Sequence, residues 1–226
     1  MAKIKFGMVV TDMRGKLGGH VFTKNRAGAS TRTKVTPANP RTASQQANRA
    51  LLGLFSVAWS ALTDAQRASW NGAVDAWSKT NIFGDNVKPS GKNLFTALNK
   101  NLASVGLDTI NVAPEKVELP LLALDNVDIA VGDGEITVAT GAIGAEFQVI
   151  VSATPPLSAG TSFTKGKYRR IYYGTGGAVS PTDLFDAYES KFGAIAVGQN
   201  IYFEVKIIAS NGQVSVPETA KATISA

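Results

Sequence analysis

The stretch DTINVAPEKVELPLLALDN, residues 108–126, separates two textures in one chain. Before it, large apolar residues recur at three- and four-residue spacing, the period of a helix face. After it they recur at every second position, the period of a half-buried strand. Pro114 and Pro120 break regular structure between the two. This change of period predicts an α+β protein in several parts. Residues 1–41 read as an extended, β-rich arm and 42–106 as a small three-helix bundle. Residues 107–120 read as a linker, and 121–226 as an antiparallel β-sandwich of immunoglobulin or fibronectin type III character.

C-terminal to the junction, seven short segments alternate: VDIAV, EITVAT, EFQVIVSA, YRRIYYG, IYFEVKIIAS, QVSV and AKATIS. Asp133-Gly134 and Asn211-Gly212 are hairpin turn signals between them. Evenly spaced short strands with turn residues between them favour a sandwich. The insert PTDLFDAYESKF, residues 181–192, has room for one or two helical turns.

N-terminal to the junction, helix starts are legible. Thr42 followed by Gln45, and Thr63 followed by Gln66, fit the capping box. The first helix sets Ala47, Leu51, Leu54, Phe55, Ala58, Trp59 and Leu62 on one face, and the second carries Trp70, Val74 and Trp77. Ser90 begins a third helix with Leu94, Phe95, Leu98, Leu102 and Val105 inward, and Gly106 is placed to stop it. Trp59, Trp70 and Trp77 are therefore expected in a structural core.

Ahead of these helices lies RGKLGGHVFTKNRAGASTRTKVTPANPRT, residues 14–42, with seven Lys and Arg and no Asp or Glu. Its β-branched alternation and spaced glycines predict a β-hairpin or two with little core. Such a segment either binds a polyanion or adds strands to a neighbouring subunit. Arg14, Lys16, Lys24, Arg26, Arg32 and Lys34 are the candidate partner-binding residues. Successive side chains of a strand face opposite ways, so only about half of them can track one phosphate backbone.

The composition bounds the rest. The 226 residues are 44% apolar, enough for a core, and carry a formal net charge of +6. Residues 1–112 hold 15 basic against 5 acidic residues, and 113–226 hold 8 against 12. The split predicts two units in different surroundings. The absence of cysteine removes disulfides and thiol chemistry. With His20 as the single histidine, no catalytic triad or paired-histidine metal site is available within one chain. RGKLGGH lacks the spacing of a phosphate-binding loop. Asp125, Asp128, Asp133 and Glu135 lack the spacing of a calcium loop and read as solvated turn residues. KGKYRRIYY, residues 165–173, interleaves bases with tyrosines, either to clamp a nucleic acid strand or as one basic strand face. No catalytic residue, metal or cofactor is expected. MAKIKFGMVV is too short in its apolar part for a secretory signal, and no apolar run approaches a membrane span, so synthesis in the cytoplasm without membrane insertion is expected.

The wording GKLGGHVFTKNRAG…RTKVTPANPRTASQQANR, followed by AWSALTDAQRASWN, resembles a group of poorly characterised proteins of tailed bacteriophages and prophages. The resemblance covers roughly residues 1–100. It implies a virion component, or a protein encoded beside virion genes, whose partners are other virion proteins and copies of itself. On that basis the expected function is structural: a head or head–tail component assembled through its arm, with the sandwich projecting outward. The charge pattern keeps two other functions open. One is nucleic-acid binding through the arm. The other is host-surface adhesion through the sandwich.

Overall fold

The computed structural model describes residues 2–121, 124–130, 135–140, 143–176 and 184–224. The molecule is mixed α+β, and among the described residues it has four helices and several antiparallel sheets. Two compact units divide the chain. One is Met1–Thr96 with Asn111–Pro114, and the other is Ala97–Ile110 with Glu115–Ala226. Boundaries at 41, 106 and 120 do not coincide with this division, which passes inside the third helix.

The first unit opens with four strands: β1 (Ala2–Ile4), β2 (Gly15–Leu17), β3 (His20–Asn25) and β4 (Gly28–Thr33). They form one antiparallel sheet in the order β1-β4-β3-β2. The arm is thus more than the one or two hairpins its sequence predicts, because β1 returns to pair with β4, Lys3 opposite Ser30. The β3–β4 turn holds Gly28 at φ 96°, a left-handed conformation that glycine tolerates, while Asn25 Oδ1 accepts the Ala27 N–H at 2.9 Å.

Helix α1 (Ala43–Ala61) and helix α2 (Asp64–Ala73) follow. Thr42 Oγ1 accepts the Gln45 N–H, but the Gln45 side chain does not return the bond; Gln46 Nε2 donates to Arg41 O instead. At α2 the box is complete, with Thr63 Oγ1 accepting from Gln66 N and Gln66 Oε1 accepting from Thr63 N. A two-strand ribbon, β5 (Lys79–Thr80) and β6 (Asn86–Val87), precedes α3 (Gly91–Ser104). Phe95 on α3 is the centre of the aromatic packing. The rings of Trp70, Trp59 and Phe55 lie 5.3, 5.6 and 6.4 Å from it. Trp70 is fully buried and its Nε1 donates to Asn111 O at 2.9 Å. Trp59 is only half-buried. Trp77 is buried but lies past the end of α2, in the turn at 74–77, and its Nε1 has no hydrogen-bond partner.

In the second unit the strand order is β10-β9-β11-β12, all antiparallel, built from β9 (Phe147–Ala153), β10 (Arg169–Thr175), β11 (Asn200–Ala209) and β12 (Glu218–Thr223). A separate pair, β7 (Leu124–Ala130) and β8 (Glu135–Thr140), and helix α4 (Phe185–Phe192) share one core with it. Ile129, Ile136, Val151, Tyr188, Phe203, Val205 and Ile207 are buried together there. Burial pushes the Tyr188 phenol well above its ordinary pKa, and its hydroxyl donates to Thr154 O at 2.8 Å.

Two sequence expectations change in this unit, and one lies outside the described residues. QVSV forms no strand: Val214 makes a single bridge to Ile208, and Val216 turns out to solvent. The Asp133-Gly134 turn lies outside the described residues, as do 181–183 of the helical insert. The segment read as a linker is held by side chains. Asn211 Nδ2 donates to Glu115 O, and the Gln213 amide both accepts from Val117 N and donates to Val117 O, as a strand neighbour would.

The turn behind those contacts has a strict requirement. Gly212 sits at φ 79°, and a Cβ there would lie 2.6 Å from Leu98 O. Nearby, α3 ends with Gly106 N donating to Ala103 O and Leu107 N to Leu102 O. Asn99, fully buried, then ties the 107–110 segment down: its Nδ2 donates to Ile110 O at 3.2 Å and its Oδ1 accepts from Ile110 N at 2.7 Å. Asn99→Ala leaves both Ile110 backbone groups without these partners and should cost about 2–3 kcal/mol, read as a lowered urea midpoint at unchanged slope. An unchanged midpoint would show that water replaces the amide there.

Candidate interaction surface on the N-terminal sheet

Among residues 2–50 a single residue is buried, and it is a serine, Ser30. A four-stranded sheet without an apolar core is the least self-sufficient part of the described structure. Its surface is also where the candidate partner-binding residues lie.

Register separates those residues. Lys16 pairs with Val21 and Val21 with Arg32, so these three share one face. Lys3 pairs with Ser30 and Ser30 with Thr23, on the same side by strand alternation. The Thr23–Ser30 hydroxyl contact at 3.0 Å agrees with that assignment. Lys34 directly follows β4, one alternation beyond Arg32, and its N–H donates to Gly19 O. The strand residues of this face include no acid and no aromatic residue; Lys5, one alternation beyond Lys3, is answered by Asp85 and stands over the Phe83 ring.

The opposite face carries Ala2, Ile4, Leu17, His20, Phe22, Lys24, Ala29, Thr31 and Thr33. The His20 and Phe22 rings lie 6.5 Å apart on it. Thr31 Oγ1 is buried on this side without a partner. Leu17 is 65% exposed, a large apolar side chain left in water.

Electrostatics sharpen the separation. Lys24 Nζ and Arg14 Nε both approach Asp12 Oδ2, at 3.3 and 3.4 Å. Burial opposes ionisation of Asp12, but the Lys24 hydrogen bond and the charges of Lys24 and Arg14 outweigh it and hold the carboxyl below its ordinary range. Two of the six candidate bases are therefore engaged by one carboxylate. Arg26 occupies the tip of the β3–β4 hairpin. Among the described residues Lys16, Arg26, Arg32 and Lys34 have no ion-pair partner.

The other basic stretch behaves differently. In 165–173, Arg170 donates to Ser104 O and stacks 5.0 Å from the Tyr173 ring. Arg169 Nη1 donates to Gly166 O and Tyr168 O. Both guanidinium groups hydrogen-bond to backbone carbonyls of their own unit. The side chains of Asp125, Asp128 and Glu135, and residue Asp133 altogether, lie outside the description. Among the described residues no three His, Asp or Glu side chains converge to hold a metal ion, and no helix is long and apolar enough to cross a membrane.

Sequence reasoning missed one surface. Ala43, Ala47, Ala50, Leu54, Val57 and Ala61 fall at alternating four- and three-residue steps along α1, and all six are exposed. Leu54 is 58% and Val57 71% exposed. The signal was present as a second heptad seam beside the one through Phe55.

Comparison with protein-family models, curated protein sequences and solved structures finds no match to this chain.

Proposed function

We propose that the protein is a structural component of a tailed-bacteriophage particle, in the head or head–tail region, assembled through its N-terminal sheet and α1. The observation that carries this reading is the burial pattern: forty-nine consecutive described residues, 2–50, contain one buried side chain. An ordered surface of that kind acquires its missing core from neighbouring subunits. The exposed seam on α1 supports contact with copies of itself, since a 4-3-4-3-4 apolar repeat is the pattern of helix pairing. The resemblance of residues 1–100 to phage and prophage proteins supports the particle.

In the same reading the second unit is an immunoglobulin- or fibronectin-like module. The order β10-β9-β11-β12 would correspond to the C′-C-F-G sheet of such domains and β7-β8 to the A-B pair, with α4 falling between β10 and β11 in the chain, where such domains carry a further strand. In this reading the role of both units is mechanical.

The test is composition. Particles purified by density gradient from a producing host should contain the chain at a fixed stoichiometry by quantitative mass spectrometry, and disassembled particles should retain it with head or neck proteins. Particles of full infectivity that lack it would end this reading.

A further inference from the structure

The two faces of the N-terminal sheet differ in a way that specifies two kinds of partner. The face with Ile4, Leu17, His20 and Phe22 has apolar content, and its one lysine, Lys24, is answered by Asp12. The other has Lys3, Lys16 and Arg32 in register with Thr23, Val21 and Ser30, and Lys34 beyond. A protein–protein interface needs an apolar centre and is depleted in lysine. This face offers only Val21, half-buried between Lys16 and Arg32. Phosphate backbones ask for the reverse: cations and hydroxyl donors, with no apolar centre.

We propose that this face of the sheet is a sequence-independent site for the phosphodiester backbone of duplex DNA. Three features favour a duplex over a single strand. The strand residues of the face include no aromatic ring on which unpaired bases would stack. Its cations are fixed on a ladder of strands about 4.8 Å apart, so that Lys16 and Arg32, two strands apart, stand about 10 Å from each other. The field is extended as well: Asp12 is the single acidic residue in the first 63 positions, against ten Lys and Arg. Lys3 is partly committed, its Nζ donating to Ala27 O at 2.7 Å, and keeps two further N–H groups. With three or four cations on the face, the site neutralises three or four phosphates, fewer than a dedicated DNA-binding protein. The proposal stands apart from the particle reading, because it concerns the purified chain alone.

The experiment is fluorescence anisotropy of the full chain with a labelled mixed-sequence 30-bp DNA duplex, titrated from 50 to 200 mM NaCl. The parent should show log K falling with log salt at a slope of about −3. Two double variants remove the same net charge. Lys16→Gln with Arg32→Gln should flatten the slope by about 1.8 and weaken binding about tenfold or more at 0.1 M salt. Arg14→Gln with Lys24→Gln, on the Asp12-paired set, should change affinity less than about twofold. Far-UV circular dichroism checks that both are folded. Equal losses in the two variants would reduce the site to diffuse charge and overturn it. So would tighter binding to a 30-mer of single-stranded dT or to duplex RNA, or displacement by polyglutamate at equal charge concentration, which would assign the face to an acidic protein.

Discussion

A chain beginning at Pro37 should melt within a few degrees of the parent and yet fail to enter particles. Stability is nearly untouched because residues 2–36 contribute one buried side chain, Ser30, to the whole unit. Their one ion pair to the rest of the unit joins Lys5 Nζ to Asp85 Oδ1 at 3.1 Å, with the two side chains 58% and 51% exposed. A pair that wet contributes little to stability. Lys5 also stands over the Phe83 ring at 5.3 Å, again at the surface.

Assembly should behave in the opposite way. The sheet brings Leu17, at 65% exposure, and the apolar face behind it to any neighbour, and truncation removes all of that surface at once. Incorporation should drop below detection by mass spectrometry of purified particles when the truncated chain is the only copy supplied. In the isolated protomer the same weakness should be visible by hydrogen exchange. The β1–β4 ladders are paired but coreless, so their amides should exchange orders of magnitude faster than those of β11. Parental incorporation of the truncated chain, or slow exchange of β3 and β4 in a proven monomer, would remove the sheet from the assembly role.

Much of this architecture is legible in the sequence because it is local. The caps at Thr42, Thr63 and Ser90, the stop at Gly106 and the turn at Asn211-Gly212 each depend on a few adjacent residues, and the structure has all of them. Pairing between distant segments is not written locally. Alternation shows that 2–4 and 28–33 are extended, but not that they pair with each other. Yet that pairing, with β3 and β2 completing the order, decides which bases share a face. Lys24 and Arg14 look equivalent to Lys16 and Arg32 in the sequence; Asp12 distinguishes them only once the chain has turned back on itself. The linker shows the same limit. Prolines mark 107–120 as irregular, while its attachment comes from Asn211 and Gln213, about a hundred residues away. Helical period also finds more apolar positions on α1 than the fold covers. Leu54 and Phe55 are neighbours in the predicted stripe, but Phe55 is buried and Leu54 is 58% exposed.

Trp70→Ala should cost about 3–5 kcal/mol and Trp59→Ala about half as much, although periodicity alone ranks the two tryptophans equally. The difference arises at Phe95. Trp70 meets that ring edge-on, at 5.3 Å and 89° between planes, with none of its own surface exposed. Its removal opens a full indole-sized cavity in a site walled by α2 and α3, and it also deletes the Nε1 bond to Asn111 O. Trp59 meets Phe95 at 5.6 Å but keeps part of its surface in water, so the lost transfer energy is smaller and solvent fills the gap. Trp70→Phe restores ring volume but not the hydrogen bond, and should recover more than half of the alanine loss. Since the chain has two units, the measurement is the helix signal at 222 nm against urea, with the β-rich unit, which holds all five tyrosines, followed separately by tyrosine absorbance. Equal midpoint shifts for Trp59→Ala and Trp70→Ala would mean that Phe95 does not organise this core.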